Sequence, residues 1–188
     1  MTTLWWVRHG PTHERAFCGW RDVPADLTDH AALERLSAFL PREAPIISSD
    51  LVRARATADA IAGGRTRLPD DRDLREFDFG EWDGVDFSVI DEKWPELSRA
   101  YWDQPGDIRA PGGESWNDAE ARVARATKRL ADIGARDIIV VAHYGAILTQ
   151  VRRAANVPAQ EILKHRIENL SVTCIPPDGP ARLISHIV

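Results

Sequence analysis

Leu4-Trp5-Trp6-Val7-Arg8-His9-Gly10 is the stretch on which the fold turns. Its first four residues are apolar on both faces, which suits a strand covered above and below by helices, as in a parallel sheet. Ile138-Ile139-Val140-Val141-Ala142 repeats the pattern and is followed by His143. Ile46-Ile47 is a shorter run of the same kind, closed by Ser48-Ser49. Further on, Ser171 to Ile175 and Arg182 to Val188 read as two more strands. The Pro176-Pro177-Asp178-Gly179-Pro180 segment between them is turn chemistry, so a hairpin is expected.

Helical periodicity fills the intervals. Leu33, Leu36 and Leu40 follow Thr28-Asp29, a natural N-cap region, and Leu51, Ala54, Ala58 and Ile61 form one face of a second helix ended by Gly63-Gly64. Trp116, Ala119, Val123, Ala126, Leu130 and Ile133 make the longest amphipathic stripe, and Ser115-Trp116-Asn117-Asp118 in front of it has the form of a capping box with Asp in place of Glu. Gly134 ends that helix, and another is expected from about Gly145 to Ala155, before Pro158. A short strand is also expected near Leu68 to Leu74. Strands alternating with helices imply an α/β domain, a three-layer α/β/α sandwich around a mostly parallel central sheet. Residues 86–113 are less regular and read as a lid-like helix–loop insertion within a single domain over 1–188.

A chain of 188 residues can bury an ordinary core, and 44% hydrophobic with 28% charged residues is the composition of a globular protein, not a disordered or fibrous one. The net charge of −5 argues against nucleic acid and against anionic membrane surfaces as partners. Its positive charge comes as 21 Arg against 3 Lys, hence mostly as bidentate guanidinium forks. Cys18 and Cys174 make neither a zinc nor a redox spacing and read as two reduced thiols. With no basic, apolar leader at Met1 to Leu4 and no apolar run longer than Ile138 to Ala142, a cytoplasmic protein is expected.

In an open parallel sheet, ligands bind beyond the carboxyl ends of the strands. The first strand there delivers Arg8-His9-Gly10, the second leads through Ser48-Ser49 to Arg53, and the third delivers His143 and Tyr144. Glu76 follows the short expected strand and places a carboxyl nearby. Two guanidinium groups with helix N-terminal amides form a site for a doubly charged oxyanion, most naturally phosphate. A histidine beside it can attack phosphorus, and the cationic groups spread the charge of the transferring group without calling for a metal. A carboxyl sharing the pocket with phosphate holds its proton by like-charge repulsion and can protonate a departing alkoxide. His9 and His13 have the i, i+4 spacing of a metal pair, but Pro11 between them opposes a helix and no acidic partner completes a site. No metal and no other cofactor is expected.

These residues carry a resemblance to the histidine phosphatase, or phosphoglycerate mutase-like, superfamily along nearly the whole chain. Arg8-His9-Gly10 stands where that family has its hallmark triplet. Ser48-Ser49-Asp50-Leu51-Val52-Arg53-Ala54-Arg55-Ala56-Thr57-Ala58 is similar to its Ser-Ser-x-Leu-x-Arg-Ala-x-x-Thr-Ala block. Leu74-Arg75-Glu76-Phe77-Asp78-Phe79-Gly80-Glu81-Trp82-Asp83-Gly84, Pro111-Gly112-Gly113-Glu114-Ser115 and Val141-Ala142-His143 resemble three more blocks in order. The resemblance implies His9 as nucleophile, with Arg8, Arg53 and His143 on the phosphoryl oxygens and Glu76 as the acid that later activates water. Residue spacing leaves the choice between His9 and His143 open. Gly10, Thr12 and Tyr144 complete the expected substrate-binding set.

Departures from the family pattern bear on the substrate. Its sugar-phosphate mutases continue Arg-His-Gly as Glu-Ser-x-Trp-Asn, where this chain has Pro11-Thr12-His13-Glu14-Arg15. They have Tyr where this chain has Phe79, and between Asp86 and Gly113 only Arg99 and Arg109 are available for a second anion. A phosphomonoester hydrolase acting on a small phosphorylated metabolite is therefore expected, with mutase-type transfer and a catalytically inactive phospholigand-binding domain as alternatives. Gly19-Trp20-Arg21-Asp22-Val23-Pro24 resembles the α-ribazole phosphatase branch, although the Gly and Gln that usually follow Leu-Thr are absent after Leu27-Thr28. Oligomeric state leaves no mark in the sequence.

Overall fold

The computed structural model describes residues 1–188. Five strands, β1 (Thr3–Arg8), β2 (Ile46–Ser48), β3 (Asp137–Ala142), β4 (Val172–Ile175) and β5 (Leu183–His186), form one sheet in the order β2-β3-β1-β4-β5. β3 pairs parallel with β1 and with β2, whereas β4 pairs antiparallel with β1 and with β5. Four strands thus run one way and β4 alone runs back. The parallel part is the one read from the continuous apolar runs; the antiparallel margin is the expected C-terminal hairpin, which needs only a tight turn and no crossover helix.

Helices cover both faces because the apolar runs leave neither face polar. Ile138, Val140 and Ala142 of β3 join Trp6 in a core built with α5 (Trp116–Asp132) and α6 (Tyr144–Ala155). Ile139 and Val141 point the other way, joining Val7 in a second core with α1 (His30–Phe39) and α2 (Val52–Ile61). All five residues from Ile138 to Ala142 are fully buried. The 86–113 segment contributes α3 (Phe87–Lys93) and α4 (Pro95–Asp103), anchored in the first core by Ile90 and Tyr101. A last short helix, α7 (Ala159–Ile162), follows Asn156, whose left-handed backbone closes α6. No helix is long and apolar enough to cross a membrane.

The strand expected near Leu68 to Leu74 does not form. One parallel bridge joins Arg67 to Ile46, and the chain then turns through a 3-10 helix at Arg72–Leu74. Pro69 has no N–H to continue a ladder, and the Asp71 side chain accepts from the Asp73 N–H, which favours the turn. The consequence is that Glu76 leaves a turn, not a strand end.

The capping box ahead of α5 is present in full. The Asp118 N–H donates to Ser115 Oγ at 3.2 Å, and the Ser115 N–H donates to Asp118 Oδ2 at 2.9 Å. Ser115 is buried, so water cannot replace the lost acceptor. Ser115→Ala should lower unfolding free energy by about 1–2 kcal/mol, seen as a drop of about 2–8 °C in Tm by calorimetry.

Candidate active site

The register of β1 on β3 assembles the site. Arg8 pairs with Ala142, so the next residue of each strand, His9 and His143, emerges side by side. The His9 N–H donates to the Ala142 carbonyl at 3.1 Å, and the two imidazole centroids are 5.0 Å apart. β2 ends next to them, with the Ser49 N–H on the Val141 carbonyl at 3.0 Å. The chain then enters α2, whose second residue is Arg53.

Each imidazole is held in one tautomer by a partner that has only one role to play. Arg53 Nε–H can only donate, and it meets His143 Nδ1 at 3.2 Å. Nδ1 is therefore the acceptor, and the proton of the neutral ring sits on Nε2. His9 Nδ1 lies 2.7 Å from the Gly10 carbonyl, which can only accept. The His9 proton is thus on Nδ1, and its Nε2 keeps a lone pair. His9 lines a cleft of about 370 Å³. His143 lies fully buried behind it, and its Nε2–H has no hydrogen-bond partner.

Burial and positive charge keep both rings neutral. The His9 pKa falls to about 3, first by desolvation, then by the Arg53 charge. His143 is lowered well below the usual histidine range by burial, with Arg53 and His9 adding to it. Arg53 is itself completely buried. Its remaining N–H groups donate to the carbonyls of Arg21 at 2.8 Å and Gly19 at 2.6 Å, so a loop from a distant part of the chain satisfies the charge. Arg8 donates to the Ile167 carbonyl at 2.6 Å and lies 5.4 Å over the Tyr144 ring, while its Nε is buried without a partner. Burial lowers its pKa too. Two orphaned N–H donors, on Arg8 and His143, are what a bound oxyanion would satisfy.

Glu76 is the buried carboxyl of the cleft, Glu14 being exposed at its rim. Its side chain accepts the N–H of Gly145, in the first turn of α6, at 3.0 Å and that of Phe77 at 3.0 Å. A Cβ on Gly145 would come within 2.6 Å of Glu76 Oε1 and 2.8 Å of the Phe77 ring, so only glycine lets the carboxylate approach this closely. The Glu76 carbonyl is held from behind by Trp20 Nε1 at 2.8 Å and Arg122 Nη2 at 3.0 Å. Arg122 also donates to both Glu114 carboxylate oxygens at 2.8 Å. The arginines at 72, 75 and 122 surround the Trp20 ring at 5.0, 5.0 and 5.8 Å.

Sequence reading missed Trp20, Arg122 and Gly145 as parts of the site. Arg122 had a signal available: it falls three residues after Ala119 and four before Ala126, on the apolar stripe of α5, where an unpaired charge is intolerable. Thr12 and Tyr144 line the cleft, with Tyr144 OH donating to the His165 carbonyl at 3.0 Å. Gly10 does not line it. Its N–H donates to Thr57 Oγ1 at 3.0 Å, and its carbonyl orients His9, so Gly10 acts on the ring from behind. His13 is exposed and bound to Asp26 at 2.8 Å, outside the cluster. Arg55 is exposed and paired with Asp70 at 3.1 Å.

Comparison with known proteins places the chain in a family. The profile of the histidine phosphatase superfamily (branch 1) matches residues 4–187. Phosphoglycerate mutase-like protein 4 of Arabidopsis thaliana is 33% identical over 175 residues, covering 88% of this chain and 75% of its own. The structure of YhfR from Bacillus stearothermophilus is similar with a TM-score of 0.88 at 26% identity, over 100% of this chain and 98% of that one. Mycobacterial glucosyl-3-phosphoglycerate phosphatase gives a TM-score of 0.77 at 29% identity, over 93% and 89% of the two chains. The chain spans about half (54%) of the length of a bifunctional Mycobacterium tuberculosis protein that it matches at 30% identity over 98% of its own length.

The neutral histidines predict a pH dependence of stability. Their folded pKa values lie below the ordinary 6.5, so the unfolded chain takes up protons that the folded chain refuses. Stability is then complete above about pH 6.5 and falls as pH drops below it, by up to about 1.4 kcal/mol per histidine per pH unit. Urea midpoints should fall between pH 7.5 and 5.5, above the range in which the lowered carboxyls of Asp50 and Asp118 act. His9→Asn should remove part of that fall; an unchanged pH profile would mean that His9 is not held neutral.

Proposed function

The chain belongs to branch 1 of the histidine phosphatase superfamily, and from that premise we propose that it hydrolyses a small phosphomonoester through a phosphohistidine on His9. The observation that carries this reading is the pair of opposite tautomers. His9 presents an Nε2 lone pair in the cleft, whereas His143 next to it presents an Nε2–H that has no acceptor. A nucleophile needs the first and a phosphoryl-oxygen ligand the second.

In the first step His9 Nε2 attacks phosphorus, the bond from phosphorus to the alcohol oxygen breaks, and that oxygen takes the Glu76 proton. Arg8 and His143, which carry the unpartnered donors, hold the equatorial oxygens as their charge builds. Arg53, expected among them, has its N–H groups engaged within the protein and contributes as a buried positive charge beside His143. In the second step Glu76, now ionised, takes a proton from water as the water oxygen attacks phosphorus, releasing inorganic phosphate and restoring His9. Supporting this role, Glu76 is fixed at both ends, by Gly145 N–H on the carboxylate and by Trp20 and Arg122 on the carbonyl. Positioning of this kind matters because a misplacement of about 1 Å can cost about 100-fold in rate.

Water is the favoured acceptor because the cleft offers a second anion only one further guanidinium, Arg15, solvated at its rim. Arg109 is engaged by Asp118, Arg99 is exposed, and neither lines the cleft. Mutase-type transfer would need a firm grip on that anion while the phosphohistidine waits. The segment that resembles the α-ribazole phosphatase branch is occupied in holding the site together, with Arg21 and Gly19 carbonyls on Arg53 and Trp20 on Glu76. α-Ribazole phosphate stands as one candidate substrate among small phosphorylated metabolites. The 86–113 segment forms one wall of the cleft through Phe87 and Trp102.

Hydrolysis of p-nitrophenyl phosphate should persist in EDTA and fall by about 1,000-fold or more in His9→Ala. Alkaline quenching after brief exposure to labelled substrate should trap base-stable, acid-labile phosphate on His9. Label on His143 would reverse the assignment, and no turnover across a panel of phosphomonoesters would leave a binding domain. Glu76→Gln should slow alkyl phosphates by about 100-fold or more but p-nitrophenyl phosphate much less, since that leaving group hardly needs a proton. Equal losses would remove Glu76 from the acid role.

A further inference from the structure

The cleft has two ends of different chemistry. Arg8, His9, Glu76 and Tyr144 form the end assigned above, and Phe17, Phe79, Phe87 and Trp102 form the other. Phe17 is the hub of the apolar end. Its ring lies 5.0 Å from Phe79 edge-on, 5.9 Å from Trp102 at an interplanar angle of 16°, and 6.3 Å from Phe87. Phe17, Phe79 and Trp102 pack against the core, but Phe87 belongs to neither core cluster and is 50% exposed. It is the first residue of α3, with Asp86 capping the helix through the Ser88 N–H at 3.1 Å. Folding therefore leaves half of a large ring in water at the mouth of the cleft. The only guanidinium near this end is Arg15, exposed at the rim, while Glu14 is taken by Arg21 at 2.6 Å. A carboxylate or second phosphate on the substrate would find one solvated cation here, whereas a flat apolar group would find three aromatic faces.

We propose that the alcohol half of the substrate carries an aryl group that docks on the Phe17–Phe87–Trp102 wall, and that Phe87 is the residue that selects it. This rests on the phosphomonoesterase reading above and names the substrate class for the same cleft. Phosphate is gripped at the polar end, its leaving oxygen faces Glu76, and the ring covers the surface that Phe87 exposes.

The test compares esters that share an alkoxide leaving group, so that binding alone separates them. The ratio of kcat/KM for 2-phenylethyl phosphate over ethyl phosphate should be about tenfold or more in the wild-type protein, the size expected for one well-packed aromatic contact. 3-Phosphoglycerate should be poorer than 2-phenylethyl phosphate. Phe87→Ser should bring the ratio down severalfold, mainly through KM, and Phe87→Tyr should restore it. Val89→Ser, at an exposed position of the same helix outside the cleft, should leave the ratio where it was. A wild-type ratio near one, a ratio unmoved by Phe87→Ser, or better turnover of 3-phosphoglycerate would overturn the proposal while hydrolysis of p-nitrophenyl phosphate still supported a phosphatase. Absence of turnover on every ester, p-nitrophenyl phosphate included, would end both readings.

Discussion

The hydrogen bond from Arg53 Nε to His143 Nδ1, 3.2 Å long and wholly buried, is the contact on which the rest of the site depends. An unpaired guanidinium in the interior would be prohibitively costly, and here no carboxylate pairs with it. Its satisfaction comes from an imidazole and from the carbonyls of Gly19 and Arg21. The 18–22 loop is drawn in by that demand and held by Asp83, which accepts the N–H groups of Gly19 at 2.9 Å and Arg21 at 2.8 Å. Asp22 then caps the start of α2 by accepting the Val52 N–H at 2.6 Å, closing a circuit back to the helix that carries Arg53. One bond thus ties β3, α2 and the loop together and decides where the proton of His143 resides.

That choice passes to the second imidazole through charge rather than contact. Arg53 adds to burial in lowering the His9 pKa, and so keeps its ring neutral at any ordinary pH. The Gly10 carbonyl works the other way electrostatically, yet it is what pins the His9 proton to Nδ1. Neutrality and tautomer are separate requirements for a nucleophile, and two different neighbours supply them. Behind the carboxyl, Arg122 has a comparable office. It bridges Glu114 and the Glu76 carbonyl, and so links α5, the Pro-Gly-Gly-Glu-Ser turn and the Glu76 turn.

Most of the architecture was legible because apolar pattern and punctuation are local properties. Val7 and Trp6 alternate between two cores as a doubly covered strand requires, and the Ser115 box, the Gly134 stop and the Pro176 to Pro180 turn fall where their chemistry places them. The misread strand near Leu68 has a local cause as well. Pro69 removes a donor and Asp71 offers the backbone a competing turn, so the ladder stops after the Arg67 bridge. Arg122 was passed over for a different reason. An arginine on a helix is by default a solvated one, and only the partners gathered at its head from residues 73 to 76 and 114 make burial tolerable.

Composition and periodicity were enough for the layered α/β fold, and the motifs were enough to name His9, His143, Arg8, Arg53 and Glu76 as candidates, since each motif is a run of residues adjacent in the chain. Which imidazole carries a lone pair, which donors stand empty and how an arginine loses its water were matters for the folded chain alone. They depend on contacts such as those between residues 53 and 143 or 76 and 145. A hydrogen bond assigns its proton according to the group opposite, and that group is brought into place only when the sheet register and the helices around it have closed.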